Sequence, residues 1–254
     1  MGIATLAKGA FTELARDPVL FIPKLVSTTL YIPPYLVLFQ STLAAAKNPL
    51  LSASLLQNEL YSFAALILLA PVWIFIDSMY PELVRQRAAT GKLDFKAAAL
   101  HVSRRFLKIF ALSIALLVIA MVFSLPFVAF IAAGVVFGFL PLLLIGFLGA
   151  AAVALAFGVI FYFSPTSMIL GKGSVSGSLK EGYSLSRQNF GFVFWLTLIS
   201  FSVLLIGFYA EGALQGLGEI GFILGRYLGA ILTVYIYVLN PSAYLEVSKP
   251  DKSS

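Results

Sequence analysis

Between Lys108 and Lys172 the chain carries no Asp, Glu, Lys, Arg or His. That run far exceeds the ~20 apolar residues that cross a bilayer. Soluble domains do not carry such a stretch, whereas two consecutive membrane-spanning helices do. Gly134, Gly138 and Pro141 punctuate it. They divide it into spans over 109–131 and 140–162, joined by a short turn.

The same reading gives four more apolar stretches, over 18–43, 60–79, 190–209 and 220–239. The first contains Pro23 and the pair Pro33-Pro34, so a kink is expected there. Three stretches alternate at helical spacing instead. In the first, Ile3, Leu6, Ala7, Ala10, Phe11 and Leu14 share one side, with Lys8, Thr12, Glu13 and Arg16 opposite. The second covers 94–108, with a polar stripe of His101, Arg104, Arg105 and Lys108. Its apolar stripe is Phe95, Ala99, Val102 and Phe106. The third covers 178–189, with Lys180, Glu181, Ser184, Arg187 and Gln188 on one side. Such helices suit a membrane interface.

The expected fold class is therefore an all-α integral membrane protein of six transmembrane helices. They form three hairpin repeats of about 3–80, 94–170 and 178–247, each opened by a cytoplasmic-side amphipathic helix, within a single transmembrane domain over 1–254. A common spacing separates Arg16 from Arg105, Phe21 from Phe110, and Ser78-Met79 from Ser167-Met168. Arg187 and Ser242-Ala243-Tyr244 open and close the third copy with gaps. Repeated spans recur in transporters, where the binding site lies between them.

Composition agrees. Of 254 residues, 60% are hydrophobic and 11% charged, with mean hydropathy +0.98, values that belong to polytopic membrane proteins. The start of the chain is not expected to be a secretory leader, because a charged lead precedes an overlong apolar segment. Ala44-Ala45-Ala46 is read as part of an uncleaved anchor. Leu6 stands where the myristoylation pattern requires Ser or Thr.

The net charge of +6 matters by location, not size, and no nucleic-acid partner is expected. Lys8, Arg16, Arg85, Arg87, Lys92, Lys96, Arg104, Arg105, Lys108, Lys172, Lys180, Arg187, Lys249 and Lys252 fall on one face of the predicted topology; Lys47 falls alone on the other. Positive residues stay inside, so both termini are expected in the cytoplasm of a multi-pass cell-membrane protein. The inner-leaflet basic face comprises Arg16, Arg104, Arg105, Lys108, Lys180 and Arg187. It would favour anionic lipid headgroups. A homo-oligomer or accessory partner subunits are compatible with this layout.

The run Ser178-Leu179-Lys180-Glu181-Gly182-Tyr183-Ser184-Leu185-Ser186-Arg187-Gln188-Asn189-Phe190 enters a span through an Arg-x-Asn-Phe ending. It resembles a group of six-span bacterial and archaeal membrane proteins of unknown function, related to the membrane domain attached to some glycerophosphodiester phosphodiesterases. That resemblance implies the six-span layout. It implies no activity, because the phosphodiesterase chemistry sits in a separate barrel domain.

Chemistry is sparse. There is one His and no Cys, so thiol catalysis and Cys-ligated metals are excluded. No paired carboxylates accompany His101, so no catalytic, cofactor or metal residue is assigned and no enzyme is expected. Gly171-Lys172-Gly173-Ser174 has phosphate-loop residue types without the strand or glycine spacing, and reads as a connector.

Two helix-packing ladders stand out: Gly221, Gly225 and Gly229, and Gly146, Ala150, Ala154 and Gly158. Small residues at every fourth position let helices approach closely. A polar line of Glu219, Arg226, Thr233, Tyr237 and Asn240 runs beside the first ladder. Asp17, Lys24, Thr28, Tyr31, Tyr35 and Thr42 form another, and Thr197, Ser200 and Glu211 share a face of the fifth span. A charge at mid-bilayer costs about 3 kcal/mol or more. Lys24 and Arg226 therefore either line a polar cavity or snorkel outward towards Asp17 and Glu219. The expected polar pathway is Lys24, Thr28, Tyr31, Tyr35, Glu219, Arg226, Thr233 and Tyr237, in a non-enzymatic permease or channel-like protein for a small polar or anionic solute. The competing reading is a structural or accessory membrane protein.

Overall fold

A computed structural model describes residues 2–47, 52–171 and 173–248. Lys172, Lys249 and Lys252, which the charge pattern puts on the same face as both termini, lie outside the described residues. Every regular element described is helical. In order they are α1 (Ile3–Arg16), a 3-10 turn (Pro18–Phe21), α2 (Ile22–Lys47), α3 (Ser52–Asp77), α4 (Tyr80–Thr90) and α5 (Phe95–Ser103). Then come α6 (Phe106–Phe137), α7 (Leu140–Phe161), α8 (Ser164–Leu170), α9 (Val175–Gln188), α10 (Phe190–Gln215) and α11 (Gly218–Val247).

Six helical stretches are long and apolar enough to cross a membrane: Pro18–Ala45, Leu56–Thr90, Phe106–Phe137, Leu140–Leu170, Phe190–Gln215 and Gly218–Val247. All six run past the sequence-based limits at one or both ends. Hydropathy falls where a helix leaves the apolar zone, but backbone hydrogen bonding continues through the next polar turns. Pro23 sits at the second position of α2, where its missing N–H costs nothing. Pro33 and Pro34 lie inside the same helix.

Several joints are set locally. Asp94 accepts a hydrogen bond from Ala97 N at 2.9 Å to open α5, and Ser174 accepts from Gly177 N at 3.1 Å to open α9. Both are side-chain N-caps. Gly138 ends α6 with φ +61°, the left-handed conformation that glycine adopts without a Cβ penalty. The apolar turn at 138–139 can thus be very short.

The tightly buried core gathers where the short helices meet. Leu6, Ala10, Leu14, Leu20, Tyr80, Leu83, Val102, Phe163, Met168 and Val238 are among its members. The apolar stripe of α1 therefore packs on protein: Leu6, Ala10 and Leu14 are buried, while Phe11 is exposed. α1 lies along α11, and Tyr235 Oη donates to Ala7 O at 3.2 Å.

α2 packs on α3, α6 on α7, and α10 on α11, and α11 also touches α1, α2, α4 and α8. The most apolar window of α11 is 33% buried within the protein, whereas that of α6 is 0% buried. α11, and not the long charge-free run, is thus the helix around which the others assemble. Its Gly221 is pressed against Leu214 O, and Gly225 against the Glu211 backbone, where an added Cβ would lie 3.0 Å from Cα. Gly229 is not so pressed: an added Cβ there would come only within 3.9 Å of Glu211 Oε2. The other ladder is likewise only partly a packing seam. A Cβ on Gly146 would meet the Ile131 N at 2.9 Å, and one on Gly158 the Thr197 Cγ2 at 2.8 Å. Ala150 is half-buried and Ala154 exposed. Gly149 meets the Phe127 ring instead.

Candidate functional site

α2 and α11 run antiparallel, joined by polar and aromatic pairs along their length. Gln40 Nε2 donates to Glu219 Oε1 at 2.8 Å, and Phe39 stacks on Phe222 with centroids 4.7 Å apart. Thr29 and Tyr227 hydroxyls lie 2.9 Å apart. Further along, Lys24 Nζ donates to both Asp77 oxygens, at 3.1 and 3.0 Å. Tyr237 Oη donates to Asp77 Oδ2 at 2.5 Å, tying α2, α3 and α11 together. Lys24 also lies over the Trp73 and Tyr237 rings, 5.3 and 4.9 Å from their centroids.

Arg226 pairs with a different helix. Its Nε lies 2.9 Å from Glu211 Oε1 on α10, and its guanidinium sits 4.1 Å from the Tyr35 ring centroid. Neither cation snorkels towards the partner that sequence spacing offered. Asp17 pairs with Arg87 at 2.7 Å, and Glu219 bonds Gln40. In a low-dielectric interior an ion is held by an opposite charge within contact, and the carboxylates across the bundle are nearer than those one helical step away.

Between these two ion pairs lies a cavity of about 290 Å³. Lys24, Ser27, Thr28, Tyr31 and Tyr35 of α2, Trp73 of α3, Glu211 of α10, and Arg226 and Thr233 of α11 contribute to its wall. Lys24 and Tyr35 are eleven positions apart on one helix, so the cavity extends about 16 Å along the axis. Thr233 Oγ1 donates back to Gly229 O at 2.7 Å, which leaves its oxygen lone pairs free to accept.

Six of the eight expected pathway residues thus line one cavity. Glu219 does not; it is exposed beside Gln40. Tyr237 stands behind Lys24, supporting the Asp77 pair. Asn240 bonds elsewhere, donating to Tyr162 O at 2.6 Å and accepting from Thr166 at 2.5 Å. Thr42 bonds its own helix at Leu38 O, 2.9 Å away. Thr197 and Ser200 are buried away from the cavity. Asp77 and Trp73 are not among the residues expected from the sequence. A carboxylate on the helix next to an embedded lysine was the signal available.

A second polar cluster is structural. Arg105 donates to Ile169 O at 2.9 Å and Gly171 O at 3.0 Å, and His101 Nε2 lies 3.0 Å from Ile169 O. These groups cap the free carbonyls at the end of α8, where positive charge is favoured. Arg105 is therefore half-buried against protein, whereas Arg16, Arg104, Lys108, Lys180 and Arg187, expected with it on one basic face, are each exposed. Glu181 turns inward as well: Ser167 and Tyr244 hydroxyls each donate to it at 2.7 Å.

The described residues include no group of three or more His, Asp or Glu placed to hold a metal ion. What the arrangement offers is an amphipathic hollow with balanced charge. Comparison with protein-family models, curated proteins and solved structures finds no match.

Proposed function

We propose that the protein is a non-enzymatic permease or channel-like protein for a small polar solute, with the cavity between α2, α10 and α11 as its binding site. The observation that carries this reading is the cavity itself. Hydroxyls, two cations and a carboxylate converge at span depth, where a polar wall is costly unless it serves a polar occupant. Each cation already has a carboxylate partner, so an anion would have to displace Asp77 or Glu211. The reading therefore favours a solute of balanced charge over a simple anion.

The topology that goes with it has both termini in the cytoplasm, with three copies of a short helix followed by two spans. Arg16, Arg104, Lys108, Lys180 and Arg187 then face anionic headgroups of the inner leaflet. The accessory-protein alternative has its own support, because the same ion pairs join α2 to α3 and α10 to α11 and would hold the bundle together without any solute.

Water access separates the two. Thr233→Cys in reconstituted protein is expected to react with a small polar thiol reagent much faster than Leu116→Cys on α6. Release of trapped polar solutes from the same vesicles should exceed that from empty ones. An inert Thr233→Cys together with no release overturns the permease reading in favour of the accessory one.

A further inference from the structure

The polar cavity is not closed on all sides. α2 and α10 each pack on α11 but make little contact with one another, so a strip of α11 is open between them. The α10 wall of the opening is apolar and exposed: Leu204 is 50% and Phe208 72% accessible. At span depth such a wall faces lipid.

A second hollow, of about 440 Å³, adjoins the first. Phe11, Phe21, Ile231 and Tyr235 wall it, and it shares Val203 and Leu232 with the polar cavity. Tyr235 turns its hydroxyl away to Ala7 O, so only its ring faces inward. One side of the Val203–Leu232 boundary is charged and hydroxylated; the other is apolar. A ligand that fills both needs a polar head and an alkyl tail.

Charge at the polar end narrows the head. Lys24 with Asp77, and Arg226 with Glu211, sum to zero. A head with net charge would leave one ion without a partner in a low-dielectric site, where it is poorly solvated. A zwitterionic head adds both signs at once. Its anion meets Arg226 and Lys24, and its cation meets Glu211 and the ring faces around it.

We propose that the two hollows together bind an amphiphile with a zwitterionic head and an alkyl chain, taken up from the bilayer through the opening between α2 and α10. This rests on the reading that the polar cavity is a ligand site, and it replaces a water-borne solute with a membrane-borne one.

The test is equilibrium binding to the purified full chain in a nonionic detergent, using three probes. Lysophosphatidylcholine has a zwitterionic head and one chain, lysophosphatidylglycerol has a net negative head, and glycerophosphocholine has no chain. Saturable binding of one lysophosphatidylcholine per protein is expected, at least tenfold tighter than lysophosphatidylglycerol, with glycerophosphocholine weaker still. Leu232→Trp and Val203→Trp should each weaken it at least tenfold by filling the shared boundary. They lie on different helices, so a fold lost in one leaves the other to decide.

Unsaturable uptake that ignores both substitutions means surface lipid only and overturns the proposal. Equal binding of the two lysolipids overturns the charge argument and the proposal with it. Glycerophosphocholine binding as tightly as the lysolipid also overturns it, yet leaves the polar-solute reading standing. Lysophosphatidylcholine bound by protein whose Thr233→Cys form is inert and which releases no solute supports the site while ending the permease reading.

Discussion

Lys24 and Asp77 lie 53 residues apart in sequence and 3.0 Å apart in space. Their side chains are 11% and 13% accessible, so little water shares the pair. Removing one partner from such a pair leaves an ion that the surroundings cannot solvate, at a cost of about 3–5 kcal/mol. Asp77→Asn and Lys24→Met should each lower the melting temperature in detergent markedly. The double variant Lys24→Met with Asp77→Leu should recover most of that loss. A double variant no more stable than the worse single one would mean that the pair is not what holds α2 to α3.

The Arg226–Glu211 pair separates packing from ligand binding. Arg226→Leu alone should destabilise, because Glu211 is left without its cation. Arg226→Leu with Glu211→Leu should restore the melting temperature but not solute release or lysolipid binding. Recovery of all three would reduce the pair to a structural tie.

Glycines of α10 and α11 predict a graded series. A Cβ on Gly221 would strike the Leu214 carbonyl oxygen, a backbone atom that cannot swing aside. Overpacking of this kind costs about 1–3 kcal/mol. Gly221→Ala should therefore lower thermal stability more than Gly225→Ala. Gly212→Ala, where nothing lies within 4 Å, should be neutral or gain up to about 1 kcal/mol from better helix propensity. Thermal melts of the three variants give the order.

Glu13 of α1 supplies a pH test outside the spans. Burial pushes its carboxyl above the usual range; Arg87 opposes that and Asp17 adds to it. A raised folded value means that the folded state holds its proton more tightly than the unfolded one. The stabilisation is then complete below the ordinary Glu value and is lost as pH rises through the raised one. Glu13→Gln should accordingly raise the melting temperature at pH 7 relative to the parent chain. The gap should shrink as the pH is lowered towards 4. A constant gap would mean that ionisation of Glu13 has no part in docking α1.

Orientation has a direct check, since the chain has no cysteine of its own. A membrane-impermeant thiol reagent added outside intact cells should label Gly216→Cys, in the exposed turn between α10 and α11, and spare Lys96→Cys on α5. The opposite pattern would invert the topology.

The sequence alone determined that this chain is helical and carries six apolar stretches of membrane-spanning length. That information lies in composition and in the spacing of charges, both of which are local. It also grouped Lys24, Thr28, Tyr31 and Tyr35 on one side of α2, and Arg226 and Thr233 on one side of α11, residues that line a single cavity, since residues three, four and seven apart on a helix share a side whatever surrounds it. Which helix is central was beyond it. α6, half of the charge-free run, is the most apolar span of the chain yet the least buried, because in a bilayer an apolar surface needs no protein cover. α11 carries polar groups that require partners, so it is surrounded. Only the tertiary structure decided those partners: Asp77 and not Asp17 for Lys24, Glu211 and not Glu219 for Arg226, and the α8 carbonyls for Arg105. An ion's nearest counter-charge across a helix interface depends on how the helices cross, and no spacing along one helix encodes that angle.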